Sequence, residues 1–325
     1  MVRIGIVGLG PQWDERYGPI LKSLRRRIAV RAVYDCVTHR AEQVSSELGA
    51  NVVQGVRALM ERSDIQAILW LDPAWLGIFP LRSALQFGKP IFVGGAIQTS
   101  LPDWKSLYQL VQTQGLTAIP ELHRRYTPAT SRLQELIATR LGRPQRIRIR
   151  VTSDASSTPS TTSTTAVDTM LGLMDWCRYV MRSRPKVIRQ VTAINESHQN
   201  WERGFEIEFH ERTPTSSPPL AELTLSRGTT AMEAVHYEIC CENGRAWFYD
   251  STTIIWESGS EIVTECLQAE RHEIEVMLDL FCRRVVGGLI PVADLGDICR
   301  GLTMVQAAWR SLETNQPITL NGELD

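Results

Sequence analysis

A glycine turn near the start of the chain carries the first residue types that could do chemistry. The short β-branched run Arg3–Val7 stops at Gly8-Leu9-Gly10, and a helical pattern of apolar residues follows. Glycines at such a turn let the backbone approach a pyrophosphate, and amides at the start of the next helix donate to it. The residues predicted to bind a dinucleotide here are Gly8, Gly10, Pro11, Gln12 and Trp13.

A carboxylate at the end of the second strand fits the same chemistry. The strand predicted at 29–34 ends at Asp35, and a carboxylate there accepts hydrogen bonds from a ribose diol. Asp35 favours NAD because it would repel a 2′-phosphate, but Arg40 close by leaves NADP open.

The glycine motif is incomplete at its third position. The sequence places Trp13 where G-x-G-x-x-G has a glycine that allows close helix packing, although Pro11 suits the first turn of a helix. A turn that serves chain geometry alone is therefore an open alternative to dinucleotide binding.

The pattern of elements predicts two domains. Strands alternate with helices over residues 1–120, which predicts an α/β fold with a doubly wound parallel Rossmann sheet. Residues 121–325 show an entering helix, many short strands and two closing helices, which predicts an α+β domain with an open-faced, mostly antiparallel sheet. The last helix, 295–313, is expected to pack back towards the first domain. The Ser/Thr-rich segment 152–165 is either a lid over a polyol or a loop without function.

Composition excludes several classes of function. A formal charge of -1 leaves no electrostatic footprint for nucleic acid or an anionic membrane, and no apolar run is long enough for a membrane span. Seven scattered cysteines without C-x-x-C spacing favour reduced thiols, and no histidines pair at metal-ligand spacing, so we expect no metal site. Without a signal-peptide pattern at the N-terminus, the chain is predicted to be soluble and cytoplasmic.

Several stretches together give the chain a family likeness along almost its whole length. They are RIGIVGLG, VYDCVTHRAEQ, DIQAILWLDP, SALQFGKPIFV, RRYTPATSRLQELIATRLGRPQRIRIR and VADLGDICRGLTMVQAAWRSLETNQPITL. In this order they resemble the glucose-fructose oxidoreductase, inositol dehydrogenase and MocA (Gfo/Idh/MocA) family. The resemblance implies NAD or NADP as cofactor and a sugar-like or polyol substrate.

Two positions depart from the family's catalytic pattern. The family's G-K-H-V-x-x-E-K-P aligns with residues 88–96, so its lysine falls on Gly95, and Lys89 lies before the strand rather than after it. The family's D-x-G-x-H-x-x-D aligns with residues 168–175, so its histidine falls on Gly172. Because glycine cannot carry a proton on a side chain, the family's acid/base step has lost both groups.

The resemblance leaves other residues as candidates for the site. Those expected to act in catalysis are Asp168, Asp175 and His123, and those expected to bind substrate are Arg125 and Tyr126. The family's strand-end T-P-x-x-x-H aligns with residues 72–77, which places Asp72 and Pro73 beside the cofactor. A carboxylate at position 72 would oppose a pyrophosphate.

Two functional hypotheses follow. The chain is either an NAD(P)-dependent oxidoreductase with impaired or rebuilt hydride chemistry, or a catalytically inactive relative that serves as a binding or partner protein. In both cases we expect a homodimer or higher homo-oligomer through the open face of the second sheet. The aromatic and apolar residues expected at that contact are Trp247, Tyr249, Ile255 and Trp256.

Overall fold

The computed structural model describes residues 1–95, 100–153, 164–191, 202–211, 217–227 and 234–320. The chain forms two compact units, Met1–His123 with His272–Cys299, and Arg124–Arg271 with Arg300–Asp325. Residues 272–299, expected in the second domain, thus belong to the first unit. The physical reason is side-chain packing: the rings of Phe92 and Phe281 lie 5.9 Å apart, and Arg27 pairs with the buried Asp279.

The first unit contains a six-stranded sheet in the order β3-β2-β1-β4-β5-β6, and every pairing is parallel. Its central strands are almost continuously buried, as expected for a parallel sheet with both faces covered. This confirms the predicted doubly wound sheet. The strands are β1 (Val2–Val7), β2 (Ile28–Tyr34), β3 (Asn51–Val52), β4 (Ala67–Trp70), β5 (Ile91–Val93) and β6 (Ala118–Pro120).

The first connection of this unit differs from a regular helix. A π-helical turn, Trp13–Tyr17, precedes α1 (Gly18–Ser23), so the α-helix begins eight residues after Gly10. The later connections are ordinary helices. They are α2 (Thr38–Leu48), α3 (Val56–Met60), α4 (Pro73–Leu76), α5 (Phe79–Gln86), α6 (Leu101–Gln114) and α9 (Glu273–Val285).

The second unit contains a nine-stranded sheet in which only the pair β7–β10 is parallel among the described strands. The predicted mostly antiparallel sheet is confirmed. The strands are β7 (Pro144–Ser153), β8 (Pro185–Gln190), β9 (Glu202–Phe209), β10 (Leu220–Arg227), β11 (Ala234–Cys241), β12 (Gly244–Phe248), β13 (Thr253–Ser258), β14 (Glu261–Cys266) and β15 (Ile318–Thr319). Their order across the sheet is β14-β13-β12-β11-β7-β10-β9-β8-β15.

The helices of the second unit include one that the sequence pattern does not single out. Helix α7 (Pro128–Leu136) continues into a π turn, Ile137–Leu141, and α10 (Leu295–Thr314) begins in the first unit. Helix α8 (Thr164–Met181) begins at the end of the Ser/Thr-rich segment 152–165, whose composition predicts a loop. Its buried residues Met170, Met174, Cys177 and Met181 have helical spacing, and this signal could have located it.

One face of the nine-stranded sheet is buried and the other is polar. Arg148 and Glu222 pair across β7 and β10 at 2.9 Å, and Arg189 pairs with Glu206 across β8 and β9 at 3.1 Å. Trp256 was expected on this polar face, and that expectation is wrong. It is 2% exposed because side chains alternate along β13 and Trp256 points to the buried face.

The segment 152–165 lies mostly outside the described residues, which omit 154–163. Within the described part of the chain, no helix is long and apolar enough to cross a membrane. All seven cysteines are free thiols.

Candidate functional site

The predicted cofactor residues meet at one edge of the first sheet. Gly8 follows β1, Asp35 follows β2, Asp72 follows β4 and Gly95 follows β5 closely. All of these are carboxyl ends of parallel strands, and the chain reverses its strand order between β1 and β4. In open α/β sheets, ligands bind outside the carboxyl ends at such a switch point.

The glycine turn needs both of its glycines. Gly8 and Gly10 have φ values of +70° and +65°, a region that side chains with a Cβ rarely enter. A Cβ on Gly8 would lie 2.7 Å from the Cβ of Asp72, and one on Gly10 would lie 2.6 Å from the carbonyl oxygen of Leu71. The turn therefore packs directly against the chain that leaves β4.

Asp35 holds this turn in place. Its Oδ2 accepts a hydrogen bond from the amide of Leu9 at 2.8 Å, and its Oδ1 accepts one from the amide of Val37 at 2.8 Å. Asp35 is only 6% exposed. The carboxylate predicted to bind a ribose is thus first of all a clamp for the turn, and it has fewer lone pairs left for a ligand.

Charges of both signs surround the turn. Arg40 donates from Nη2 to the carbonyl oxygen of Gly10 at 2.9 Å. The pKa of the largely exposed Cys36 thiol is raised, first because the thiol is partly desolvated and then by the carboxylates of Asp35 and Asp72. Both carboxylates therefore lie close enough to this thiol to act on it.

Trp13 does not present its ring to the edge. It is 4% exposed, and its main-chain oxygen and indole lie 3.1 Å and 3.4 Å from the place where a Cβ on Gly18 would be. The missing third glycine is thus accommodated by a π-helical entry and a buried indole, with Gly18 allowing the approach.

These features fit the phosphates of a dinucleotide better than its ribose. Gly10 and Gln12 lie at the start of the first connection, and within the described residues their amides have no hydrogen-bond acceptor. Such amides suit a pyrophosphate, and the positive φ angles leave room for it. Asp35 keeps part of its accepting capacity, and Arg40 is the nearest identified cation at the turn.

A second cluster lies at the same edge, after β5 and β6. The Oε2 of Glu121 accepts hydrogen bonds from the hydroxyl of Tyr17 and, at 2.9 Å, from the amide of Gly95. Its Oε1 lies 2.7 Å from Nη1 of Arg16, and its side chain is 3% exposed. Burial raises the pKa of Tyr17 well above its usual value, and Glu121 raises it further, so Tyr17 keeps its proton and donates it.

This cluster lies beside Gly94 and Gly95, the two positions that align with the Glu-Lys of the family's sequence pattern. A Cβ on Gly94 would collide with the Tyr17 hydroxyl and lie 3.0 Å from Leu71. Gly95, at the position of the family's lysine, has a φ of +78°, which disfavours any other residue. Lys89 cannot replace that lysine, because its Nζ donates to the carbonyls of Arg62 and Ile65.

His123 is the titratable candidate closest to this cluster. Its side chain is 36% exposed, and its Nδ1 lies 3.8 Å from Oε1 of Glu121. It starts the short 3₁₀ helix that follows β6. A half-exposed imidazole with a buried carboxylate behind it is a common arrangement of a proton-transfer group.

In the second unit, Gly172 lies beneath a guanidinium. A Cβ on Gly172 would lie 3.1 Å from Nε of Arg124, whose Nη1 donates to the hydroxyl of Tyr237 at 2.7 Å. The Tyr237 ring is stacked on Phe248 and tilted against Trp176, with centroids 4.6 Å and 4.8 Å away. The position of the family's histidine is therefore next to a cation that never loses its proton.

Two of the expected site residues are engaged with each other. Arg125 donates to Asp175 through Nε at 2.7 Å and through Nη2 at 2.5 Å, and its guanidinium lies 5.1 Å from the ring centre of Tyr179. Arg125 is 8% exposed and Asp175 is 1% exposed. This pair differs from the expected roles in substrate binding and catalysis, since each charge is buried and compensated by the other.

Asp168 and Tyr126 are both half-buried. Asp168, Gly172 and Asp175 share one face of α8 because they are four and three residues apart. Among the residues that the structure describes, no group of three or more His, Cys, Asp or Glu side chains could hold a metal ion.

Tyr17, Glu121 and Arg124 were not predicted as site residues. The first two lie 104 residues apart in sequence, so no spacing rule connects them. A signal existed for Arg124, because Tyr126 and Arg125 beside it were already candidates.

Comparison with known proteins supports the first unit most directly. Residues 2–122 match the model of the Gfo/Idh/MocA family, described as an oxidoreductase family with an NAD-binding Rossmann fold. A curated relative, the dTDP-3,4-didehydro-2,6-dideoxy-alpha-D-glucose 3-reductase of Actinomadura kijaniata, is 27% identical over 115 residues. That alignment covers 35% of this chain and 34% of the relative, so it spans about a third of the relative's length.

Solved structures resemble the chain over nearly its whole length. The UDP-N-acetylglucosamine 3-dehydrogenase of Acidithiobacillus ferrooxidans has a TM-score of 0.76 at 17% identity, covering 96% of this chain and 98% of that one. An oxidoreductase from Sinorhizobium meliloti has a TM-score of 0.80 at 15% identity, covering 98% and 99%. At these identities the likeness shows the fold alone.

Proposed function

We propose that this chain, whose residues 2–122 belong to the Gfo/Idh/MocA oxidoreductase family, is an NAD(P)-dependent oxidoreductase for a sugar-like or polyol substrate. The observation that carries the proposal is the turn Gly8-Leu9-Gly10, which has two positive φ angles at the carboxyl edge of a parallel sheet. Within the described residues, the amides of Gly10 and Gln12 have no hydrogen-bond acceptor. The sugar-nucleotide substrates named for two of the similar proteins support the substrate class.

The residues of the turn divide the work of binding. The amides of Gly10 and Gln12 donate to the pyrophosphate, Gly8 allows the backbone to approach it, and Asp35 and Arg40 lie on the side of the adenosine ribose. Arg40 supports NADP as well as NAD, because the Asp35 carboxylate is largely engaged by the amides of Leu9 and Val37. Asp72 lies against the same turn, and its carboxylate weakens the binding of an anion there.

The proton-transfer step moves to His123 in this proposal. When bound, the nicotinamide supplies hydride chemistry, exchanging a hydride with the substrate carbon that bears a hydroxyl. The proton of that hydroxyl passes to Nε2 of His123 as the hydroxyl becomes a carbonyl, so one hydride and one proton leave the substrate together. Asp168 and Tyr126 orient substrate, whereas Arg125 and Asp175 stabilise the fold through their buried pair.

Direct titration of the purified protein with NAD(H) and NADP(H), by calorimetry or fluorescence, tests this function. We expect saturable binding of at least one form, and a panel of sugars and polyols should then give cofactor reduction or oxidation. Millimolar or absent binding of all four nucleotides would overturn the oxidoreductase proposal.

The second candidate is a catalytically inactive relative that binds a ligand or partner. The observation in its favour is that Gly95 and Gly172 replace both family acid/base groups. Gly95 has a φ that favours glycine, and a Cβ on Gly172 would lie 3.1 Å from Nε of Arg124. This candidate would be favoured if the wild type and His123→Asn both bind dinucleotide and neither turns over any sugar or polyol. A cytoplasmic location and a homodimer are part of both versions of the proposal.

A further inference from the structure

The strongest unassigned feature is the carboxylate of Glu121, which follows β6 at the carboxyl edge of the first sheet. Its side chain is 3% exposed, yet four groups approach it: two from the neighbouring residues Arg16 and Tyr17, one from Gly95 and one from His123. Arg16 and His123 lie at Oε1, and Tyr17 and Gly95 donate to Oε2. A buried carboxylate with so many partners has a fixed position.

The surroundings are adapted to this carboxylate. Gly95 adopts a φ of +78° with its amide directed at Oε2, and Gly94 leaves room for the Tyr17 ring that reaches the same oxygen. Position 94 is where the family carries its own glutamate. A side chain at position 94 and the Tyr17 hydroxyl that contacts Glu121 would therefore compete for the same space.

Among the three side chains that approach Glu121, that of His123 is the most exposed. Its Nδ1 lies 3.8 Å from Oε1, and its ring is 36% exposed, whereas Tyr17 is 1% exposed. This distance is longer than a hydrogen bond, and hydrogen bonds of catalytic groups are often long before a ligand binds. The tautomer of a histidine is set by the hydrogen bond that one of its nitrogens makes.

Arg16 also holds Glu121. Its Nη1 lies 2.7 Å from Oε1 of Glu121 and its Nη2 lies 3.7 Å from Glu273, so one guanidinium links the two carboxylates. His272 lies 3.6 Å from the same Glu273 carboxylate. These contacts help to fix the oxygen that lies nearest to Nδ1 of His123.

We infer that Glu121 is a positioning residue for His123: it fixes the Nδ1–H tautomer, directs Nε2 towards the ligand side and stabilises the imidazolium formed when a proton is taken up. The inference rests on the proposed function for its catalytic meaning. Its geometric content, a histidine oriented by a buried carboxylate that Tyr17 and Gly95 hold in place, concerns the chain alone.

The first test uses the unaltered protein, by nitrogen-15 NMR of its histidine rings, with His123→Asn assigning the signal. We expect the neutral form of His123 to carry its proton on Nδ1. A predominantly Nε2–H tautomer, the usual form of a free imidazole, would overturn the inference.

The second test compares Glu121→Gln with the control Glu135→Gln, which removes a carboxylate that is 64% exposed in the second unit. We expect the His123 titration midpoint to fall by about one pH unit in Glu121→Gln and to stay unchanged in the control. An unchanged midpoint in both variants overturns the inference. If Glu121→Gln does not fold, Tyr17→Phe takes its place, with a smaller fall expected and the same contradicting result.

These outcomes are separable from those of the proposed function. A protein that fails to bind NAD(H) and NADP(H) but shows the Nδ1–H tautomer contradicts the oxidoreductase and supports the positioning role. If the protein does turn over a substrate, Glu121→Gln should shift the acidic limb of the pH profile of kcat/KM towards lower pH, which a merely structural role would leave in place.

Discussion

The hydroxyl of Tyr17 lies where the Cβ of a side chain at position 94 would be. While Tyr17 keeps this position, residue 94 has room only for glycine. We predict that Gly94→Ala destabilises the protein by about 1 to 3 kcal/mol, the usual cost of overpacking a filled interior. Leu71, 3.0 Å from the same point, limits the room for relaxation. Urea unfolding of the wild type and the variant measures the difference.

A double-mutant cycle with Tyr17→Phe identifies the cause. The single change should cost about 1 to 2 kcal/mol, because Glu121 loses a donor. With the hydroxyl gone, Gly94→Ala should cost about 1 kcal/mol less than in the wild type. Strict additivity would mean that the hydroxyl is not what keeps position 94 a glycine.

Tyr17 also predicts how stability responds to alkali. Its pKa is raised in the folded state by burial and by Glu121, so folding favours the neutral phenol. This stabilisation is complete below the unfolded pKa of about 10 and is lost as pH rises towards the folded value. We therefore expect the free energy of unfolding to fall above about pH 10, and to fall less steeply in Tyr17→Phe.

Buried thiols make the comparison with the variant necessary. Burial raises the pKa of Cys241 to about 12 and that of Cys282 to about 11. Folding therefore favours the neutral thiols too, and they also lower the free energy of unfolding as pH rises. Both proteins share this background. Identical slopes for the wild type and Tyr17→Phe between about pH 9.5 and 11 would contradict the assignment to Tyr17.

Restoring the family's catalytic residues should not restore its chemistry. Lysine at position 95 would need a φ of +78°, at a cost of about 1 to 2 kcal/mol, and a histidine at position 172 would displace Arg124. We expect the combined variant Gly95→Lys, Gly172→His to be less stable and to give no NADH with polyols. Robust NADH production would show that the surroundings of positions 95 and 172 still accept the family's catalytic side chains.

Measurements of stability alone can test whether Arg124 limits the space at Gly172. Gly→Ala inside a helix usually gains about 0.5 to 1 kcal/mol, but here the added Cβ would lie 3.1 Å from Nε of Arg124. We predict no gain in the wild type and a gain of that size when Arg124→Ala is already present. A full gain in the wild type would mean that Arg124 moves away freely.

The sequence predicts the first sheet well because its strands are short apolar runs. In β4 and β5 every residue is buried, so neighbouring helices and turns mark their ends clearly. The same reasoning found the carboxyl edge, since Gly8 and Asp35 follow a strand directly and Asp72 lies two residues after β4. Strand ends are local features, and local patterns suffice to find them.

What those residues do at the edge could not be read from the sequence. Asp35 has the residue type and spacing expected for a ribose, but the amides it accepts from are fixed only by the folded turn. The pairing of Arg125 with Asp175, 50 residues along the chain, likewise depends on how α8 packs. Trp256 shows the same limit, because one step in strand register decides which face it joins.

Removing the charge at position 72 should strengthen dinucleotide binding. Asp72 lies against Gly8, where its carboxylate opposes a pyrophosphate. We predict that Asp72→Asn lowers the Kd for NAD or NADP a few-fold, with a smaller effect at high salt. Trp13→Gly is a poor companion change, because emptying the site of a buried indole costs about 3 to 5 kcal/mol.

Glu61→Gln is the matched control for that titration. It removes one negative charge from an exposed side chain at the end of α3, which precedes β4 and so lies at the opposite edge of the sheet. Its Kd should equal that of the wild type. Equal affinities for Asp72→Asn and the control would contradict the claim that the Asp72 carboxylate weakens dinucleotide binding.

The polar face of the second sheet provides the prediction on assembly. Trp247 and Ile255 are paired in register on β12 and β13, and Ile262, which is 68% exposed, lies on the same face of β14. This apolar row continues into the ion-pair rows of β7 and β10, so one copy offers both apolar area and alternating charge to another. We expect light scattering at micromolar concentration to give twice the monomer mass of 36.6 kDa.

Ile255→Arg should return the mass to that of the monomer without lowering stability much, because the side chain points away from the core. Leu289→Arg, at a position in the first unit that is 93% exposed, should leave the dimer intact. A monomeric wild type, or a dimer that tolerates Ile255→Arg, would exclude this face as the interface.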